Sequence, residues 1–158
     1  MPERPSSLSD RFTPAGPPES IPRWVDDSIV TWSGGRWRLL GTRCRACDAR
    51  FFPRAYTCAE CLSTDLEPHP LSIEGELHVC AVAGATQPGF FAPALFSWVN
   101  LPADGVRVFA HLVSDCDAEP ERGTPVEFWP TVVGGDGDGP FCSIAFRPLP
   151  HESKKESR

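Results

Sequence analysis

The sequence predicts a mainly β chain: a short N-terminal helix, a small metal-bound ribbon, then a five-stranded barrel. Three observations predict it. Residues 44 to 61 read CRACDARFFPRAYTCAEC, two Cys-x-x-Cys pairs held ten residues apart. Five short runs rich in Val, Phe, Ile and Trp follow, divided by turns that contain Gly or Pro. Helical spacing of apolar residues stands out only ahead of the cysteines.

The first 20 residues hold Pro2, Pro5, Pro14, Pro17 and Pro18 among Ser and Glu. Such a segment buries too little apolar surface to offset its ordering entropy, so residues 1–20 are expected to form a disordered tail. In residues 21–35, IPRWVDDSIVTWSGG, the side chains of Ile21, Val25, Ile29 and Trp32 fall on one helical face. Gly34 and Gly35 would stop that helix. A helix this short needs tertiary support, from its own domain or from a partner chain.

Residues 36–68 make the expected ribbon. Cys44, Cys47, Cys58 and Cys61 follow the spacing C-x2-C-x10-C-x2-C. A two-residue gap lets each pair grip one metal ion from a tight knuckle, and two knuckles complete the tetrahedral sulfur shell of a structural zinc site. Four soft thiolates select Zn or Fe over Mg, Ca or Mn, and the spacing leaves a rubredoxin-like iron open. A dithiol redox pair would want a βαβ context, which the pattern lacks. Knuckles often carry glycine after the second cysteine; Asp48 and Leu62 stand there instead. Leu tolerates the left-handed conformation poorly, so distortion of the second knuckle is expected. With every position filled by protein, the ion is structural and offers no open site to substrate. It also supplies folding free energy that so short a segment cannot draw from a core of its own.

Residues 69–148 hold the predicted strands 75–85, 94–101, 106–113, 124–133 and 141–146. PADG joins the second to the third, and GGDGDG joins the last two, as hairpin turns. Five short strands of this spacing suggest a small, partly open barrel, of which the OB-fold is the standard example. Residues 149–158 are a polar tail, expected to be mobile.

Charge and composition exclude several classes. The formal net charge is −6, from 21 acidic and 15 basic residues. Only Arg107 and Arg122 are cationic between residues 69 and 140. Phosphate affinity comes from accumulated cations, so a nucleic-acid-binding OB module is the weaker reading and no nucleic-acid partner is expected. Six arginines lie between Arg36 and Arg54 with Asp48 as their sole acidic neighbour, either as solvated loop charge or as an anion-facing patch. The start, MPERPSSLSD, has no apolar core of signal-peptide type, and no run reaches membrane-spanning length. The expected compartment is therefore the cytoplasm, where the seven cysteines serve as metal ligands and buried thiols rather than as disulfides.

No autonomous active site is expected. Cys80, Cys116 and Cys142 are not spaced as ligands. Cys80 beside His78 or His111 would mimic a nucleophile with its base, but residue types without a motif carry little weight against buried thiols. G-x-S-x-G, phosphate-loop, dinucleotide and H-E-x-x-H signatures are all missing. The run QPGFFAPALF (87–96) places Phe90, Phe91 and Phe96 between the first and second strands. That OB-fold region often meets ligands; the run either folds onto the barrel or forms an interaction surface.

Taken in order, WRLLGTRCRACDARFFPRAYTCAEC, SIEGELH, FFAPALFSWVNL, DGVRVFAHLV and RGTPVEF resemble the zinc-ribbon OB-fold acyl-CoA-associated proteins. The resemblance spans about residues 20 to 147. Its specific part is a ribbon followed by S-x-x-G-E/T, an F-x-P loop and a G-x-P-V-E strand. It implies an accessory subunit of thiolase-like enzymes that form or cleave carbon–carbon bonds in acyl-CoA chemistry. Such partners include acetoacetyl-CoA thiolase with hydroxymethylglutaryl-CoA synthase, side-chain-cleaving aldolases and acetyltransferases of aromatic polyketide pathways; other members pair with enoyl-CoA hydratases. The resemblance further implies that the partner carries the nucleophile, while the OB domain docks against it beside the CoA channel. On that basis Phe90, Phe91 and Phe96 are expected to face the partner and the ribbon to hold one structural zinc; on charge alone, Arg50 and Arg54 are expected to face the anionic CoA.

Overall fold

The computed structural model describes residues 13–20, 22–114 and 119–150. Its ribbon is built on a central strand, β2 (Arg36–Cys44), which pairs antiparallel with β1 (Val30–Ser33), β3 (Arg50–Phe51) and β4 (Leu66–Pro70). The helix expected over 21–35 is not formed. Asp26 caps a single 3-10 turn, Asp27–Ile29, and the chain then extends directly into β1. Gly34 and Gly35, read above as a helix stop, take φ of +63° and +77°. That is the backbone of a two-residue I′ hairpin, and it zips Trp32 opposite Trp37. A short helix without strong formers loses to a hairpin whose turn residues are ideal. Ile21 lies outside the described residues.

The barrel contains β5 (Glu74–Ala83), β6 (Ala94–Leu101), β7 (Val106–Leu112), β8 (Pro125–Phe128) and β11 (Ala145–Pro148). It closes in the order β11-β7-β6-β5-β8, with β11 and β7 parallel and the other pairs antiparallel. This is the five-stranded barrel of an OB-fold. Gly75 shows why the S-x-x-G-E segment needs glycine. A Cβ there would sit 2.6 Å from Val99 Cγ1 and 2.9 Å from the Asn100 carbonyl. β5 and β6 could not approach with a side chain between them.

The last two predicted strands, 124–133 and 141–146, each break in two. After β8 the chain leaves the barrel as β9 (Thr131–Asp136), returns as β10 (Gly139–Ser143), and re-enters at β11. Pro130, which lacks an N–H, sits at the first break. The resulting arm is clasped along both edges by the N-terminal segment. Thr13 O accepts from Val132 N and Thr131 Oγ1, while Arg23 O accepts from Cys142 N, and Arg23 donates to Asp136 through both terminal guanidinium nitrogens, Nη1 and Nη2. The tail expected over 1–20 is thus tied down across residues 13–20 by these bonds and by Trp37 Nε1, which donates to Gly16 O. Residues 1–12 and 151–158 lie outside the described residues, as does Cys116.

One apolar core serves both halves of the chain. Val30 and Leu39 of the ribbon and Leu71 of the connector pack with Leu77, Val99, Val108, Phe128 and Phe146 of the barrel.

Candidate metal centre

The two knuckles are built alike. Cys44 N donates to Ala49 O and Asp48 N to Cys44 O; Cys58 N donates to Ser63 O and Leu62 N to Cys58 O. Asp48 and Leu62 hold the same left-handed position, at φ of +67° and +63°. The distortion expected at Leu62 is absent: the leucine adopts glycine's conformation and bears its steric cost. Cys44 and Cys58 are fully buried, Cys47 and Cys61 exposed.

The sulfurs converge to a size that fits a metal ion. All four Sγ atoms lie within 4.8 Å of one another. Cys44 and Cys61 are 3.6 Å apart, and Cys47 and Cys58 3.5 Å. Four sulfurs at tetrahedral corners, each about 2.3 Å from zinc, would stand about 3.8 Å apart. Electrostatics agrees. The N–H groups of Cys47 and Ala46 point at Cys44 and lower its thiol to about 7. At Cys47 the Ala49 N–H favours the thiolate, yet the Cys58 sulfur and burial outweigh it and push the group up to about 12. Cys61 is also raised, its Ser63 N–H being outweighed by burial and by the Cys44 sulfur. Thiols this close cannot all ionise together unless a cation takes up the charge.

The arginine run proves to be structural over most of its length. Arg43 pairs with Asp48 and Glu67 and holds both carboxyls below their usual range. Arg45 reaches Asp65 and Glu67, and Arg36 lies 4.0 Å from Glu127. Arg38 donates to Leu71 O. Arg50 Nη1 donates to Asp104 Oδ1 and to Ala103 O, both at 3.0 Å, which pins the ribbon to the β6–β7 turn. Asp104 is buried and also accepts from Ser72 N. Arg54 is exposed and is the arginine of this run with no such bond among the described residues. Sequence neighbours could not reveal this, because most of the acids that answer the arginines come from distant segments.

The phenylalanine loop lies against the β9–β10 arm: Phe91 N donates to Val133 O and Gly135 N to Gly89 O. Gly134 permits the approach, since a Cβ there would meet Gly89 O at 2.2 Å. Phe90 and Phe96 turn toward His111 and, with Ala85, Thr86 and Gln87, line a cleft of about 530 Å³. Burial among these groups depresses the His111 imidazole to about 4. Among the described residues, Cys80 meets no base. Its thiol donates to Pro120 O at 3.7 Å, and burial together with Glu119 raises it. Cys142 is raised by burial alone.

One feature escaped the sequence reading: an exposed face on β5–β6–β7 that carries Val79, Trp98 and Phe109. Alternation in WVNL and VRVF signalled it, but which parity faced water was undetermined.

The family described as "ChsH2, rubredoxin-like zinc ribbon domain" matches residues 32–67. The benzoylsuccinyl-CoA thiolase subunit BbsA of Thauera aromatica is 32% identical over 117 residues, which cover 70% of this chain and 76% of that protein. A DUF35 domain-containing scaffold protein of Methanocaldococcus jannaschii is 28% identical over 122 residues, covering 75% and 85% respectively. Among solved structures, the Ltp2-ChsH2(DUF35) aldolase superposes with a TM-score of 0.58 at 28% identity, over 70% of this chain and 84% of that one.

Proposed function

The chain belongs to the zinc-ribbon DUF35 family of accessory subunits, and from that premise we propose that it is the non-catalytic subunit of a thiolase-like complex. The complex would form or cleave a carbon–carbon bond in an acyl-CoA substrate. The observation that carries this reading is the closed four-cysteine centre beside a barrel in which, among the described residues, the remaining thiols, half-buried Cys80 and buried Cys142, meet no base. Zinc is the ion we assign; when bound it cross-links the two knuckles, with no coordination position left for substrate. This chain's own residues then do three things. The ribbon is pinned to the barrel through Arg50 and Asp104, the barrel face is presented to the enzyme subunit, and Arg54 is free for a CoA phosphate. No residue here supplies the nucleophile, which sits in the partner. Among the described residues, no helix is long and apolar enough to cross a membrane. The cytoplasm is the compartment we propose.

The test is reconstitution with the thiolase-like enzyme encoded nearest this gene. Elemental analysis should return about one zinc per chain. The isolated chain should neither thiolyse nor cleave acyl-CoA, while the mixture should elute as one complex and turn over. Thiolysis or aldol cleavage by the chain alone, or failure of the two to associate, would overturn the reading.

A further inference from the structure

Strand register lays three rows across the outside of the barrel. Glu76, Asn100 and Arg107 are opposite one another in the first, Val79, Trp98 and Phe109 in the second, and Ala81, Phe96 and His111 in the third. A bulge between Leu77 and Val79 makes the second row possible. Strict alternation from Leu77, which is buried, would have turned Val79 inward. Instead Val79 is 50% exposed, Trp98 44% and Phe109 50%. The rings lie against one another: Phe96 stacks on Phe109 at 5.5 Å, and Trp98 meets Phe109 at 5.1 Å. Beyond the third row opens the cleft lined by Thr86, Gln87, Phe90, Phe96 and His111.

We propose that this outer face of β5–β6–β7 is where the thiolase-like subunit docks, with the adjoining cleft receiving one of its apolar side chains. The proposal rests on the functional reading above and adds to it the surface. Half-exposed Trp98 and Phe109 offer on the order of 100 Å² each, and their neighbours bring the apolar centre to roughly 300–400 Å². A stable interface needs about 800 Å² per partner, with such a centre and a polar rim, and the Glu76–Asn100–Arg107 row supplies one edge of that rim. Aromatic rings on this OB-fold face would also suit stacked bases. The charge opposes that occupant. Arg107, the one cation in the three rows, is held by Asn100 Oδ1 at 2.7 Å in the same row as Glu76. An uncharged aromatic centre is completed by a protein surface, and a relative of this chain is a thiolase subunit.

The experiment measures binding of the full, zinc-loaded chain to the thiolase-like enzyme encoded nearest its gene. Trp98→Glu and Phe109→Glu should each weaken the complex about thirtyfold or more, as truncation of a central aromatic does. Their zinc content and melting curves should match wild type. Val25→Glu, an exposed apolar residue elsewhere, should bind normally. A photo-crosslinking benzoylphenylalanine in place of Trp98 should capture the enzyme subunit, which guards against a variant that merely misfolds. If wild type binds but the two variants bind equally well and position 98 does not crosslink, the face is wrong while the accessory role stands. Failure of wild type to bind overturns both. Self-association of the chain, or oligo-dT binding, that Trp98→Glu abolishes would assign the face to another occupant and overturn the proposal.

Discussion

Leu62 occupies a left-handed position without reward: its side chain is 76% exposed and its φ is +63°. Asp48, its counterpart, at least bonds Arg43 from there. Leu62→Gly should relieve about 1 kcal/mol of steric cost, part of which returns through the greater freedom of glycine in the unfolded chain. Denaturant unfolding of the metal-loaded protein should show a net gain of a few tenths to about 1 kcal/mol; a loss would reveal packing at Leu62. His111 carries the clearest pH signature. Burial lowers its imidazole to about 4, below the ordinary value of 6.5, so the folded protein keeps it neutral. As pH falls below 6.5 the unfolded chain takes up the proton first, and stability drains until the folded value is reached. His111→Phe should remove that drain. Between pH 7 and pH 5, wild type should lose up to about 2 kcal/mol relative to the variant. Parallel curves for the two proteins would show that His111 is solvated in both states.

Among the elements, the ribbon and the barrel are fastened by one buried carboxylate. Asp104 takes Arg50 from the ribbon and the Ser72 N–H from the connector, with His69 Nε2 at 3.9 Å. Asp104→Ala would leave the Ser72 amide unanswered and deprive a partly buried guanidinium of its nearest carboxylate, leaving it Ala103 O and Asp48 at 3.8 Å, and should cost about 2–4 kcal/mol in thermal or denaturant unfolding. Arg50→Ala should cost less, because Asp104 keeps its bond to Ser72. Equal losses would place the energy in the ion pair alone. Elements also show where pattern reading falls short. Val25, Ile29 and Trp32 have helical spacing, yet Gly34–Gly35 turns the segment into a hairpin, because both glycines reach positive φ without strain. Likewise TPVEFWPTVV reads as one strand until Pro130 withholds its hydrogen bond and the second half swings out as an arm.

At the scale of the whole molecule, Val30 and Leu39 of the ribbon share a core with the barrel strands, so the metal should stabilise more than its own knuckles. Chelation, or Cys58→Ser at a fully buried ligand, should therefore lower the melting temperature of the whole chain in a single transition. Coincident metal release, far-ultraviolet dichroism and tryptophan fluorescence would bear that out. A barrel that melts unchanged after chelation would show two independent units. Much of this architecture was legible beforehand. Paired Cys-x-x-Cys spacing determines a metal knuckle because two intervening residues leave few ways to aim both sulfurs at one point. Alternating apolar strands determine a small barrel because one face of each must leave water. Tertiary structure alone decided the rest: which acids answer the arginines, which parity of β6 and β7 faces solvent, and what the phenylalanine loop lies against. Those outcomes depend on groups far apart in the chain, such as Arg50 with Asp104 and Phe91 with Val133. Only closure of the barrel brings such groups within reach of one another.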